Sequence, residues 1–279
     1  MIQDGPKFRR PPVVETVLGA QFEPLVTMRV VHFGLYWQVL KEDFPTIEER
    51  ASLPPENETF EVPLLRPPLP WRLSARLLER PPLPRAWFIG GETGSGQQLI
   101  QMQFDRFLYN WRRKSLESQE YPSYDANRAE FWRRWSEFVE FARNHELGDV
   151  VVNQCEVTYA NQIRVPDGCG VGEMAARCFP SLSGKPSDEF LPSAPERTSF
   201  DLAYQMTGQT GRLHISCSPA VEEQTGCRFL DLRLTARGAP QGADIAAVMN
   251  WLDLGHEWVV KGFRSITSKA MHNEWGVQK

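Results

Sequence analysis

The stretch that decides the fold is residues 85–113, RAWFIGGETGSGQQLIQMQFDRFLYNWRR. It contains three apolar or alternating runs that are typical of strands, at 85–89, 98–104 and 107–113. The run GGETGSG (90–96) separates the first two strands, and a tight connection at Asp105 and Arg106 separates the second and third. One face of the third strand is aromatic, with Phe107, Tyr109 and Trp111. We therefore predict an antiparallel three-strand meander with one apolar face.

The residues on either side supply elements that can extend and cover this meander. Upstream, PPVVETVLGAQF (11–22) places apolar side chains at period two and predicts a strand. Apolar residues at steps of three and four then predict a helix with Thr27 as its N-cap and Pro45 as its stop. Downstream, residues 125–146 have an apolar stripe at helical spacing. A helix in that position covers the apolar face of an antiparallel sheet.

The second half of the chain shows the same order of predicted elements. These are a strand at 151–163, a short helix at 172–179, strands at 198–206, 212–218 and 228–237, and a final helix at 242–270. We predict an α+β fold of two pseudo-repeats, each a strand, a helix, a three-strand meander and a helix, with halves at 1–148 and 149–279. Together they would form a curved antiparallel sheet covered by helices, similar to TATA-box-binding-protein-like or helix-grip folds.

A proline-rich excursion interrupts the first half. Residues 54–84 contain nine of the 22 prolines, in contexts that favour extended backbone at the surface. A loop of this length is uncommon unless it has a function, so we predict a docking segment with partner contacts at Trp71 and Arg72. Trp275, outside any apolar stripe, is a third predicted contact, because large aromatics in loops often anchor interfaces. Alternatively, the segment covers the protein's own sheet and the aromatics fold back onto the body.

Composition excludes several classes of protein. With 31 Lys plus Arg against 35 Asp plus Glu, the net charge of −4 excludes a globally basic body that coats nucleic acid. An aromatic content of 11% excludes a disordered chain, and no apolar run reaches the roughly 20 residues of a membrane span. The N-terminus lacks the pattern of a secretory signal, so we expect a cytoplasmic protein. The five cysteines match no zinc spacing and are predicted to be reduced thiols.

No catalytic motif stands clear of chance, so the sequence predicts no catalytic residue, no metal and no cofactor. The run GGETGSGQQ (90–98) lacks the Lys of a phosphate-binding P-loop and lies between strands. His256 shares a helical face with Asp253 and adjoins Glu257, but no second His follows at the spacing of a zinc motif. His214 lies near Ser216 and Cys217 on a predicted strand. Residues that merely share a face of a strand are weak evidence for a nucleophile and its base.

The best local positive patch lies between Arg106 and Arg134, with seven basic and four acidic residues. Its candidate contacts to nucleic acid or to an acidic surface are Trp111, Arg112, Arg113, Lys114, Arg128, Arg133 and Arg134. The alternative is a solvated helix face on which Glu130 and Glu137 offset the arginines at helical spacing.

Several segments together resemble a sporadically distributed family of uncharacterised bacterial proteins. They are PPVVETVLGAQFEPL (11–25), FPTIEER (44–50), LIQMQFDRFLYNWRR (99–113), FLPSAP (190–195) and LDLGHEWVVKGFRSIT (252–267). The resemblance spans nearly the whole chain and implies no catalytic residues. The scattered distribution of the family implies mobile or defence-associated gene neighbourhoods.

These observations favour a non-enzymatic scaffold or regulator that binds a partner protein encoded nearby, within a bacterial defence, toxin-control or stress-signalling complex. The alternative is a nucleic-acid-binding module that uses the concave sheet and the patch from Arg112 to Arg134. A third class is a small-ligand or hydrolytic role in a cavity between the sheet and the long helix, beside His256 or Tyr109.

Overall fold

A computed structural model describes residues 8–60, 83–91, 96–113, 121–182, 190–191, 195–242 and 244–278. Within these ranges it has nine strands and five helices. In chain order they are β1 (Val13–Phe22), α1 (Val30–Leu40), β2 (Thr46–Arg50), β3 (Arg85–Gly90), β4 (Gln98–Gln103), β5 (Arg106–Arg112), α2 (Tyr124–Asn144), β6 (Val152–Arg164), α3 (Val171–Cys178), β7 (Phe200–Gln205), β8 (Arg212–Val221), β9 (Arg228–Gly238), α4 (Ile245–Ile266) and α5 (Lys269–Glu274).

All nine strands belong to one open antiparallel sheet, which confirms the α+β class. The strand order is β2-β3-β4-β5-β1-β6-β9-β8-β7. The first strand of each predicted half, β1 and β6, pair at the centre, with Leu18 opposite Val157. The last meander strand of each half then flanks this pair. The boundary near residue 148 falls between α2 and β6 and does not divide the sheet.

The helices cover one face of the sheet, because alternate residues along the central strands are apolar and point to that face. Helix α2 packs on β5 and β1, and α4 packs on β6, β9 and β8. Phe107 of β5 stacks on Phe138 of α2 with ring centroids 5.1 Å apart. Gly255 allows α4 to lie close to β6, since a Cβ there would be 3.0 Å from the side chain of Val157. The core between the two layers is continuous across both halves.

Two local predictions differ from the structure, and one strand was not predicted. Thr27 is not an N-cap: its hydroxyl donates to the Leu147 carbonyl at 2.8 Å, and α1 begins later, after Arg29. The final helix ends at Ile266 and a separate α5 begins after Ser268, which caps it. Strand β2 was not predicted, because TIEER (46–50) has no apolar alternation; it pairs with β3 at the sheet edge.

No helix in the described part of the chain is both long enough and apolar enough to span a membrane.

Candidate functional site

The face of the sheet opposite the helices is polar, and we call it the polar face. Side chains alternate along each strand, so the positions between the core residues lie here. Cross-strand pairs such as Gln21 with Arg106, and Glu156 with Arg237, continue the face from strand to strand. Its members include Glu48, Arg50, Arg85, Trp87, Gln101, Gln103, Arg106, Asn110, Arg112, Glu15, Gln21, Gln154, Glu156, Thr158, Thr235, Arg237, Arg212, His214 and Ser216.

Residues 51–60, ASLPPENETF, cross one end of the polar face as an extended segment that we call the strap. The Leu53 N–H donates to Gln103 of β4 at 2.9 Å, and the Pro54 carbonyl accepts from Arg106 of β5 at 2.8 Å. Further along, the backbone N–H of Glu56 donates to Gln21 of β1 at 3.1 Å. The N–H of Glu58 donates to Gln154 of β6 at 3.4 Å.

The spacing of these contacts shows that the strap is nearly fully extended. It begins on β4 at Leu53 and reaches β8, where the Arg212 guanidinium lies 4.5 Å from the Phe60 ring centroid. Those strands are five neighbours apart in the sheet, a span of about 24 Å at ~4.8 Å per strand. Seven residues of extended chain cover about the same distance. The strap therefore crosses the strands at right angles and makes no ladder with any of them.

Two carboxylates fix the far half of the strap. Glu58 accepts from Arg212 at 2.8 Å and bonds His214 at 2.6 Å, and only 7% of its side chain is exposed. Burial would raise the pKa of Glu58, but the hydrogen bonds from His214 and Arg212 outweigh it, so the pKa lies below its usual value. Glu56 forms an ion pair with Arg237, which also binds Glu156 at 2.9 Å. At this end of the polar face, a cluster of basic side chains is thus neutralised by acidic side chains of the same chain.

The other half of the polar face presents arginines around one indole. The guanidinium carbons of Arg50, Arg85 and Arg112 lie 4.7, 5.5 and 4.8 Å from the Trp87 ring centroid. Arg50 pairs with Glu48 and Arg112 with Glu15, whereas Arg85 has no carboxylate partner among the described residues. Burial, followed by the neighbouring guanidinium groups, lowers the pKa of Arg85.

An apolar stripe on α1 faces solvent. Val31, Leu35 and Val39 follow each other at steps of four on one side of the helix, and Val31 is 62% exposed. Val26 and Val30 extend the stripe toward the N-terminus. The helix was predicted from a single apolar repeat and this solvent-facing stripe was not predicted, although the run VVHFGLYWQVL is apolar on both sides. Contiguous exposed apolar residues are typical of protein interfaces.

A cavity of about 540 Å³ lies between the sheet, the start of α2 and the middle of α4. Tyr121 and Tyr159 share a hydroxyl hydrogen bond of 2.6 Å on its wall, and Tyr159 bonds His256 Nδ1 at 3.1 Å. Tyr124 stacks flat on His256 with centroids 3.8 Å apart, and its hydroxyl donates to Asp253 at 2.9 Å. Burial lowers the pKa of His256 to about 4 despite the nearby carboxylates, so the imidazole is neutral at pH 7.

Of the three predicted partner-binding residues, the structure describes Trp275. Trp71 and Arg72 lie outside the described residues. Trp275 is 7% exposed and packs on Phe263 at 5.1 Å and on Phe8 at 6.1 Å between ring centroids. The expectation of an open aromatic at Trp275 is therefore wrong, because the N-terminal segment and α4 cover the ring.

The predicted basic patch is also divided. Trp111 is 6% exposed and packs on Tyr121, so it offers no stacking surface. Arg112 lies on the polar face. Arg113 is partly buried, and this burial lowers its pKa. Lys114 lies outside the described part of the chain. Arg128 is bound by Asp253 at 2.6 Å beside the cavity.

Acidic partners neutralise the arginines in the middle of α2. Arg134 is only 3% exposed and binds Asp43, Glu130 at 2.8 Å and Glu137 at 3.0 Å. Arg133 binds Glu130 at 2.7 Å from a half-exposed position. The pairs with Glu130 and Glu137 have the helical spacing of the alternative interpretation, and Arg134 is buried with its charge paired.

The weaker chemical candidates have separate surroundings. His214 and Ser216 lie on the polar face and Cys217 on the core side, so the register does not bring a thiol to the imidazole. The described residues contain no cluster of three or more His, Cys, Asp or Glu side chains that could hold a metal ion. Residues 92–95 of the glycine-rich run lie outside the described ranges.

Comparison with protein-family models, with curated proteins and with solved structures gives no match for this chain. The family resemblance of its segments therefore stays a prediction.

Proposed function

We propose that this chain is a non-enzymatic regulator that binds an acidic, extended segment of a partner protein on the polar face. The observation that carries the proposal is the strap, which already places an extended acidic segment there. In this proposal the strap is an internal occupant that a partner segment displaces. In this proposal the partner is encoded nearby and belongs to a bacterial defence, toxin-control or stress-signalling complex, and the sequence resemblance implies a mobile or defence-associated gene neighbourhood.

The chemistry of the strap contacts supports a displaceable occupant. Glutamine side chains of the sheet bond the backbone of the strap, and such contacts do not depend on the strap's sequence. Specificity comes from Arg237, Arg212 and His214, which need carboxylates at alternate positions of an extended chain. A partner segment with acidic residues two apart therefore satisfies the same groups as Glu56 and Glu58.

The exposed stripe of α1 favours a protein over a nucleic acid as the partner. Valine and leucine side chains gain from burial against apolar protein surface, whereas a phosphate backbone offers them nothing comparable.

The test uses a fluorescent peptide with the strap sequence ASLPPENETF, added to the full chain. In the variant Glu56→Gln with Glu58→Gln, the internal occupant is weakened, and we expect the peptide to bind about tenfold more tightly than to the wild type. Fluorescence anisotropy at low salt measures both affinities. Glu222→Gln with Glu223→Gln is the matched control, because it removes two charges in the turn after β8 and leaves the strap intact.

Any of three results would contradict the proposal. One is an affinity that does not differ between the strap variant and the control variant. The second is binding that survives Arg237→Gln in the strap variant, and the third is binding that a peptide with both glutamates replaced by glutamine reproduces.

A second candidate function is nucleic-acid binding, favoured by the three arginines around Trp87. Aromatic and guanidinium planes side by side are typical of surfaces that stack bases and bind phosphates. Gel shifts with single-stranded and duplex DNA at increasing salt test it. Steep loss of binding with salt, and loss in Trp87→Leu, would favour this function over the first.

A further inference from the structure

We infer that the cavity between α2, α4 and β6 is a binding site for an uncharged planar ring compound that carries a hydrogen-bond donor beside an acceptor, as in a cyclic amide. This site lies on the helix side of the sheet and is separate from the polar face. The inference therefore goes beyond the proposed function and does not depend on it.

The size and lining of the cavity fit a small organic molecule. Its volume of about 540 Å³ lies within the usual range of ligand sites, roughly 300–1,000 Å³. Much of the wall is apolar, with contributions from Pro11, Val13, Leu234, Val260 and Phe263. A few polar groups among apolar walls are the usual pattern of a site that orients one ligand.

Asn161 supplies an acceptor that the protein leaves unused. Its side-chain amide nitrogen donates to the carbonyl oxygens of Tyr159 and Leu232, at 3.3 and 3.1 Å, which fixes the orientation of the amide. Oδ1 accepts no hydrogen bond from the described residues, although Asn161 is 3% exposed and lines the cavity. Oδ1 is therefore free to accept a hydrogen bond from a ligand N–H, which would be stabilising.

His256 supplies a donor at the same cavity. A phenol is the stronger acid and an imidazole nitrogen the stronger base, so Tyr159 donates to Nδ1 and the ring proton lies on Nε2. Nε2 has no hydrogen-bond partner among the described residues, and His256 lines the cavity. Tyr124, stacked at 3.8 Å, holds the plane of the imidazole and thereby the direction of this donor.

The charges at the cavity favour an uncharged ligand. Arg128 is bound by Asp253, and Lys261 by Glu257, so neither cation is free to pair with an anionic ligand. Asp125, the remaining carboxylate of the lining, also disfavours an anion.

The test titrates the full chain with 2-quinolone, a planar lactam, and measures the affinity by isothermal titration calorimetry. N-methyl-2-quinolone lacks the donor and naphthalene lacks both polar groups. We expect each lost hydrogen bond to weaken binding about fivefold to tenfold. In His256→Phe, which retains a ring to stack on Tyr124, N-methyl-2-quinolone and naphthalene should bind with similar affinity.

Val260→Trp provides the blocking variant, because the larger side chain fills the cavity from α4. It should abolish binding of all three compounds while the far-UV circular dichroism spectrum and the urea denaturation midpoint stay close to those of the wild type, which shows that the variant is folded. The inference is wrong if 2-quinolone does not bind, if it binds no better than naphthalene, or if Val260→Trp leaves its affinity unchanged.

Discussion

The neutral state of His256 predicts a measurable dependence of stability on pH. Burial lowers the pKa of His256 from 6.5 to about 4, whereas the unfolded chain keeps the value of 6.5. Between these two values the unfolded state binds a proton that the folded state does not, so stability falls as the pH decreases through this window. From pH 8 to pH 5 the loss is about 2 kcal/mol, taking ~1.4 kcal/mol for each pH unit of differential protonation.

The comparison that isolates this effect is wild type against His256→Phe. Urea denaturation followed by tryptophan fluorescence gives the free energy of unfolding of each protein at pH 8, 7, 6 and 5. The difference between the two should shift by about 2 kcal/mol across this range in favour of the variant, because the other titrating groups are common to both. A difference that stays constant with pH would refute the reasoning, since it would mean that folded His256 accepts a proton as readily as the unfolded chain.

Three other predictions concern the body of the fold. Arg134→Met should lower the free energy of unfolding by about 3 kcal/mol in urea denaturation, because it leaves clustered carboxylates without their buried partner. Arg133→Gln, at a half-exposed position, should lower it by under ~1 kcal/mol. Equal losses in the two variants would contradict the roles assigned to these arginines. Gly238→Ala would place a Cβ 2.1 Å from the Thr210 carbonyl oxygen and should lower the free energy of unfolding by about 1–3 kcal/mol. An unchanged melting temperature would show that Gly238, at the end of β9, does not contact Thr210 before β8. An aromatic disulfide reagent at pH 8 should modify two cysteine thiols quickly in the native protein and all five in urea. The reason is that burial raises the pKa of Cys178 and Cys217 to about 12 and keeps Cys155 protonated. Rapid reaction of more than two thiols in the native protein would contradict the burial of these three cysteines.

Much of the architecture was accessible from the sequence because its determinants are local. The alternation of Phe107, Tyr109 and Trp111, and the helical repeat of α2, depend only on residues near each other in the chain. The sheet-forming strands other than β2 were therefore predicted close to their observed bounds. Strand β2 was not, since TIEER has no periodic signal and pairs only because β3 leaves an edge beside it.

The candidate sites depend on contacts that no local pattern encodes. Residues 54–60 of the strap belong to the predicted proline-rich excursion, and the spacing of Glu56 and Glu58 was their only local signal for binding the sheet. What the strap binds is decided by Arg212 and Arg237, more than 150 residues later, which the order of the strands brings to the same end of the sheet.

The amino-acid sequence alone determined the α+β class, the strand and helix segments and the lack of a recognisable catalytic motif, because hydrophobic periodicity and short motifs are properties of neighbouring residues. Only the tertiary structure decided which charges are neutralised and which polar atoms remain unpaired. Arg134 is an example, since its burial and its bond to Asp43 follow from the packing of α2 against the end of α1. His256 and Asn161 are another, since pKa values and unused hydrogen bonds are set by surroundings that come together only when the chain folds.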